Sequence, residues 1–127
     1  MAQLLDTKKE FSIVKRATSF AHAGRGVWVF LKSTPNAWIH LAALAAVIAA
    51  GAVLGISRLE WVAVAVAAGL VLTAEAINTA IEIDIDLTSP AYHPYARDTK
   101  DVAAGAVLIA AIVAVAIGLL VFLPHLV

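Results

Sequence analysis

Cysteine is absent from this chain of 127 residues, which excludes disulfide bonds and thiolate metal sites from its stability and its chemistry. Charged residues are scarce, at 14% compared with about 25% in average soluble proteins. The formal net charge is zero, so the composition gives no reason to expect a nucleic acid as a partner. Apolar residues, in contrast, make up 62% of the chain. This length and composition predict a membrane protein with a single domain over residues 1–127.

Motifs that bind nucleotides in soluble enzymes are also missing. The chain contains neither the GxxxxGK[ST] phosphate loop nor the glycine-rich loop of protein kinases. The first thirty residues are polar and basic, and they lack the short apolar core that a signal peptide needs. If the protein uses a nucleotide, it must bind it without a soluble nucleotide-binding fold.

Three apolar segments, residues 37–56, 61–83 and 102–123, are long enough to cross a bilayer. About 20 helical residues span a hydrocarbon core that is about 30 Å thick. A fourth segment, residues 7–32, repeats its apolar residues at three-, four- and seven-residue steps between lysines and arginines. That pattern is typical of an amphipathic helix lying on the membrane surface, although a solvated basic arm that only sets orientation is an equally simple interpretation. The predicted fold is therefore all-α, with one surface helix and three transmembrane helices.

Basic residues are distributed unevenly among the connections. Residues 1–36 contain six lysines and arginines and residues 84–101 contain two, whereas the connection between the first two spans contains only Arg58. The positive-inside rule places the N-terminus and residues 84–101, interpreted as a loop, in the cytoplasm.

Gly51 and Gly55 form a GxxxG pattern that permits close approach of helices. Because three short helices cannot fully surround a polar stripe, we expect a homo-oligomer whose active surfaces are completed between subunits.

The second apolar segment carries the most informative feature of the sequence. Its residues Glu75, Asn78, Glu82 and Asp86 are spaced at i, i+3, i+7 and i+11, so a helix would carry them on one stripe. An ionisable group at the centre of a bilayer costs about 2.5–3.5 kcal/mol on insertion scales. Side chains of this kind are rarely found in a membrane without a function or a partner, so the stripe is a candidate site.

The residue types on this stripe fit phosphoryl transfer. A partly desolvated carboxylate such as Glu75 is suited to act as a general base, and Asn78 can orient a hydroxyl group. Glu82, nearer the cytoplasm, can bind Mg²⁺ through oxygen, and Lys100 can balance the charge of a phosphate. Catalysis of phosphoryl transfer depends mostly on positioning and charge neutralisation. A base, a metal ligand and a phosphate-binding cation would therefore suffice for this reaction.

Two other interpretations use the same residues. Glu75 could pair with Lys100 across two helices only to make the bundle specific. Alternatively, Glu75 and Glu82 could relay ions in a small oligomeric ion or proton transporter.

The remaining ionisable residues in or near the apolar segments have simpler interpretations. His40 and His125 stand alone in the sequence and are interpreted as interfacial residues. Asp84 lies off the stripe and is interpreted as a solvated charge.

Two sequence stretches resemble a known family. EAINTAIE at residues 75–82 and KDVAAGAV at residues 100–107 are similar to the signature of the small bacterial integral-membrane diacylglycerol kinases. The resemblance implies a homotrimer in the bacterial plasma membrane that transfers the γ-phosphate of Mg-ATP to a lipid hydroxyl. The acceptor would be diacylglycerol or undecaprenol, and SFAHAGRG at residues 19–26 resembles the undecaprenol kinases more closely.

The same resemblance implies a role for individual residues. Glu75 would be the general base, Asn78 would support the acceptor hydroxyl, and Glu82 would bind the metal ion. The residues implied to contact the nucleotide are Lys15, His22, Glu82, Ala91, Tyr92, His93, Lys100 and Asp101.

The chain departs from the family pattern at two positions. Many members carry a second metal-binding glutamate just before the first span, where this chain has Thr34. Threonine supplies no negative charge, so the metal site would depend on Glu82, water and phosphate, or recruit Asp86. Thr99 replaces an alanine of the pattern, and Lys100 and Asp101 follow it unchanged.

Overall fold

The structure is a computed structural model that describes residues 12–127, and these residues form four helices connected by short segments. Three of the helices are long and apolar enough to cross a membrane, which confirms the all-α class and the three predicted spans. The helices are α1 (Ile13–Ser33), α2 (Pro35–Leu54), α3 (Arg58–Thr88) and α4 (Pro94–Leu126).

Local signals in the sequence explain where the helices begin. The Ser12 hydroxyl accepts a hydrogen bond from the Lys15 amide at 3.3 Å and caps α1. Pro35 is the first residue of α2, where a missing amide hydrogen costs nothing. Ser57 and Glu60 form a capping box at the start of α3, in which each side chain accepts a hydrogen bond from the other residue's amide.

The connection between α3 and α4 is much shorter than the sequence indicated. The predicted loop of residues 84–101 is mostly helical, because α3 continues to Thr88 and α4 begins at Pro94. The charged residues in this region mark the end of the apolar run and do not end the helix. α3 ends just before Pro90, and Pro94 starts α4. With 31 and 33 residues, α3 and α4 are about 46 and 50 Å long, so both can extend beyond a hydrocarbon core of about 30 Å.

α3 is the central helix, since it contacts each of the other three and packs most extensively against α4. Its buried side follows three- and four-residue steps through Val64, Ala67, Val71, Glu75 and Thr79. A glutamate therefore occupies a position at which the same helix otherwise places small or apolar side chains. The apolar core lies at the opposite end of the bundle from Glu75, around Ile56, Val64 and Val121.

The two glycines of the GxxxG pattern have different roles, and Gly51 lies at a close contact between α2 and α3. Gly55 has a φ of 66° and ends α2 in the left-handed conformation, and its amide donates to the Gly51 carbonyl at 3.0 Å. Gly51 lies against the Trp61 ring of α3, where an added Cβ would lie only 2.6 Å from the ring carbon Cη2. Gly51 thus provides the space into which Trp61 packs.

Replacing Gly51 with alanine is expected to destabilise the protein by about 1–3 kcal/mol, because Trp61 has to move from a packed position. Gly69→Ala is the matched control, since no neighbouring atom lies within 4 Å of a Cβ added there. Thermal unfolding in detergent micelles would compare the two variants with the original protein. Equal melting temperatures for the two alanine variants would contradict this description of Gly51.

The predicted surface helix corresponds to α1, and residues 7–11 of that prediction lie outside the described residues. Among the described residues of α1, Phe30 is buried, whereas Ile13, Phe20 and Trp28 are largely exposed. Exposed apolar side chains of this kind are common on surfaces that contact a membrane or another protein.

Candidate active site

Glu75 is buried in the middle of α3, with only 4% of its surface exposed. Its Oε1 lies 2.8 Å from Nε2 of His40, which α2 places opposite it. The Thr79 hydroxyl donates to the Glu75 main-chain carbonyl at 3.0 Å, so it does not contact the carboxylate. The interpretation of His40 as an isolated interfacial residue is therefore wrong, and the buried carboxylate has a histidine partner.

His125 also has a partner that the sequence did not indicate. Its Nε2 lies 3.0 Å from Oε2 of Glu60, at the end of the bundle opposite to Glu75. The two histidines thus make the same type of contact with α3, one in its first turn and one near its middle. His125 connects α4 to the capping box of α3, far from the acidic stripe.

Asn78 lies one turn after Glu75 and has an unusual environment. Its Nδ2 donates to Oε1 of Glu82 at 3.4 Å, which is a long hydrogen bond. Its Oδ1 is buried and has no hydrogen-bond partner among the described residues. Buried polar atoms are nearly always paired, so this oxygen is a candidate acceptor for a ligand or a water molecule.

The charged groups beyond Asn78 form the polar end of the site, which we define as Glu82, Asp86 and Lys100. Lys100 Nζ lies 2.6 Å from Oδ1 of Asp86, and both side chains are partly exposed. The Glu82 carboxylate is exposed and also attracts the Lys100 ammonium group. Lys100 therefore pairs with Asp86 rather than with Glu75, which disfavours the predicted structural pairing of Glu75 with Lys100.

The remaining predicted residues near this end are exposed. Tyr92 is 76% exposed in the connection between α3 and α4, next to the exposed Ala91. His93 caps α4, because its Nδ1 accepts a hydrogen bond from the Tyr95 amide at 3.1 Å. Asp101 is exposed in the second turn of α4. This cap could have been found from the sequence, because His93 directly precedes a proline that can start a helix.

Lys15 and His22 lie on the exposed surface of α1. In the described part of the chain, no hydrogen bond or ion pair connects either side chain to Glu82 or Lys100. Their predicted role as nucleotide contacts stays a prediction.

The oxygen atoms near Glu82 fit a magnesium ion that arrives with a phosphate. Within residues 12–127, no three His, Cys, Asp or Glu side chains form a group that could hold a metal ion. Mg²⁺ commonly takes only one or two carboxylates and fills its other positions with water and substrate phosphates. Glu82 supplies one exposed carboxylate of this kind. Asp86 is bound to Lys100, so its predicted recruitment as a ligand would require breaking that pair.

Two grooves adjoin these residues. A groove of about 830 Å³ runs between α3 and α4, with Asn78, Asp98 and Thr99 at its polar end and apolar side chains along the rest. A second groove, of about 380 Å³, lies among α2, α3 and α4, and His40 is the one polar side chain in its lining. An apolar groove that ends at a buried histidine–carboxylate pair can hold an amphipathic molecule.

The sequence is similar to known proteins along most of its length. The sequence profile of the prokaryotic diacylglycerol kinases matches residues 21–122. The chain belongs to this family. It is 43% identical over 108 residues to an undecaprenol kinase from Bacillus subtilis. This alignment covers 85% of the chain and 88% of that protein.

A second relative is a diacylglycerol kinase from Synechocystis, which is 40% identical over 109 residues. This alignment covers 85% of the chain and 62% of the relative, so the chain spans less than two thirds of that protein. No solved structure matches the chain significantly. Membership of the prokaryotic diacylglycerol kinases identifies the protein as a lipid kinase and, with its three apolar helices, as a multi-pass membrane protein.

Proposed function

We propose that this lipid kinase transfers the γ-phosphate of Mg-ATP to the hydroxyl group of undecaprenol. The observation that carries the proposal is the placement of two carboxylates on α3. Glu75 is buried next to His40, whereas Glu82, two turns later on the same helix, is exposed beside Lys100. One helix thus presents a base to the lipid and a metal ligand to the nucleotide.

In this mechanism the acceptor hydroxyl lies against Glu75, at the depth where α3 passes from the bundle interior to the exposed polar end. Glu75 accepts the hydroxyl proton while the hydroxyl oxygen attacks the γ-phosphorus, and the bond to the β-phosphate oxygen breaks to release ADP. Asn78 orients the acceptor, and the Lys100 ammonium group balances phosphate charge. A magnesium ion bound through Glu82 would neutralise further phosphate charge.

The other proposed nucleotide contacts come from α4, from α1 and from the connection between α3 and α4. The connection formed by Ala91, Tyr92 and His93 starts immediately after α3 and is exposed, and Asp101 follows Lys100 on α4. Lys15 and His22 complete the proposed set from α1. Exposed cationic and hydrogen-bonding groups suit a triphosphate that approaches from water.

Undecaprenol is the preferred acceptor because the undecaprenol kinase of Bacillus subtilis aligns along nearly its whole length, 88%. Diacylglycerol is the alternative, supported by the Synechocystis relative. Both acceptors place one hydroxyl group at the membrane surface and an apolar chain in the bilayer. The two grooves beside α3 offer apolar surface to such chains.

The proposed assembly is a homotrimer in the bacterial plasma membrane, with α1 as an amphipathic surface helix and the N-terminus and active site in the cytoplasm. The excess of lysine and arginine before α2 and between α3 and α4 supports this orientation. The open groove between α3 and α4 leaves apolar surface that a second subunit can cover. Native mass spectrometry of the detergent-solubilised protein would determine the number of subunits.

The activity can be tested with purified protein in lipid vesicles that contain Mg²⁺ and γ-labelled ATP. Undecaprenol, diacylglycerol and ceramide are supplied in separate reactions, and the labelled lipid products are separated by chromatography. We expect label in undecaprenyl phosphate at a rate above that for phosphatidic acid and no label with ceramide. A higher rate with diacylglycerol would reverse the order of the acceptors, and no labelled lipid in any reaction would contradict the proposed transfer.

A further inference from the structure

The contact between His40 and Glu75 is unusual for the part of the bundle in which it occurs. His40 is the one ionisable residue of α2, and Glu75 is the most buried charged residue among those described. The two side chains are separated by 35 positions in the sequence and meet at 2.8 Å. A hydrogen bond between them requires a proton, and when Glu75 is ionised that proton is on Nε2 of His40.

From this geometry we infer that His40 is a positioning residue for Glu75 in the phosphoryl transfer. The inference rests on the proposed function. His40 binds Oε1 of Glu75, and Oε2 makes no hydrogen bond within the described residues. The Glu75 side chain retains 5% of its accessible surface. One oxygen is thus fixed to α2, and the other is available for the acceptor hydroxyl.

A free glutamate side chain has three rotatable bonds, so its carboxylate would sample several orientations in the interior. A base must lie within hydrogen-bond reach of the proton it removes, and a displacement of about 1 Å can reduce a rate about 100-fold. His40 belongs to a separate helix, and its hydrogen bond limits the rotation of the Glu75 side chain. His40 also lines the groove among α2, α3 and α4, with 26% of its side chain exposed, so it lies where an acceptor chain could approach.

The competing explanation is that His40 only connects α2 to α3. A purely structural contact would affect stability, whereas a positioning contact affects turnover at saturating substrate. The chain contains a matched pair for comparison, because His125 makes the same type of contact with Glu60 at the start of α3. His125 belongs to no part of the proposed site.

The test compares His40→Ala, His40→Gln and His125→Ala in the vesicle assay, with turnover and both KM values measured for each. We expect His40→Ala to reduce turnover by about 10- to 100-fold, with both KM values changed by less than about threefold. His40→Gln should restore most of the turnover, because its amide can donate to Oε1. His125→Ala should keep the original turnover even if its melting temperature falls.

One further measurement separates positioning from stability. Combining His40→Ala with Glu75→Gln should reduce turnover no further than Glu75→Gln alone, because both changes remove the same function. His40→Ala with turnover within about twofold of the original would overturn the inference, as would equal losses in His40→Ala and His125→Ala. A failure of the proposed function is distinguishable, because the unsubstituted protein would then label no lipid.

Discussion

Glu75→Gln is expected to reduce the turnover of lipid phosphorylation by at least about 100-fold. This factor is the lower end of the rate acceleration that a general base usually provides. Glutamine has nearly the same shape as glutamate, and its amide can still bond to His40, so the bundle should stay folded. The amide cannot accept the proton of the acceptor hydroxyl. Initial rates in vesicles, at saturating ATP and acceptor, measure this effect.

Glu60→Gln provides the control for this experiment. Glu60 is also a glutamate of α3 that lies next to a histidine, but it is at the opposite end of the helix. Glutamine can also take the place of glutamate in a capping box, so the start of α3 is preserved. The control should retain turnover within about twofold. Full activity of Glu75→Gln would remove Glu75 from the role of base and would leave the kinase activity itself unaffected.

Glu82→Gln is expected to raise the magnesium concentration needed for half-maximal activity by at least about tenfold. Removing even an outer partner of a metal site commonly reduces affinity about 10- to 100-fold, and Glu82 is proposed as a direct ligand. Asp86 of the polar end pairs with Lys100, which limits its ability to substitute for Glu82. Turnover should fall as well, because less phosphate charge is neutralised. A magnesium titration at fixed ATP measures both effects.

Asp84→Asn is the matched control for Glu82→Gln. Asp84 is an exposed carboxylate only two residues away on α3, and it points off the acidic stripe. Its replacement removes the same charge from the same region and should leave the magnesium requirement unchanged. If both variants shifted the titration equally, the effect would be one of general surface charge, and Glu82 would not be a specific ligand.

The sequence predicted the number of helices because each apolar run is long enough to require one. It also placed Glu75, Asn78 and Glu82 on one helix, since their spacing is fixed by the helical period. The helix ends were less predictable. The end of an apolar run indicates where a helix leaves the bilayer, and it does not indicate where the helix ends. α3 continues about one turn beyond its apolar run, to Thr88.

The partners of the charged groups could not be predicted from spacing. His40 meets Glu75 because α2 and α3 pack at one particular register, and that register depends on contacts such as Trp61 against Gly51. Lys100 could have reached either Glu75 or Asp86 in a bundle of this type. The extension of α3 past the apolar run brings Asp86 to the start of α4, where it pairs with Lys100.

The central claim is that the buried carboxylate of α3 removes the proton from a lipid hydroxyl during phosphoryl transfer. It is tested most directly by a single turnover of γ-labelled ATP on undecaprenol in vesicles, with the original protein and Glu75→Gln compared at equal nucleotide occupancy. We expect the original protein to form labelled undecaprenyl phosphate and Glu75→Gln to bind ATP equally well with transfer slowed by at least about 100-fold. Equal transfer rates in the two proteins would contradict the claim.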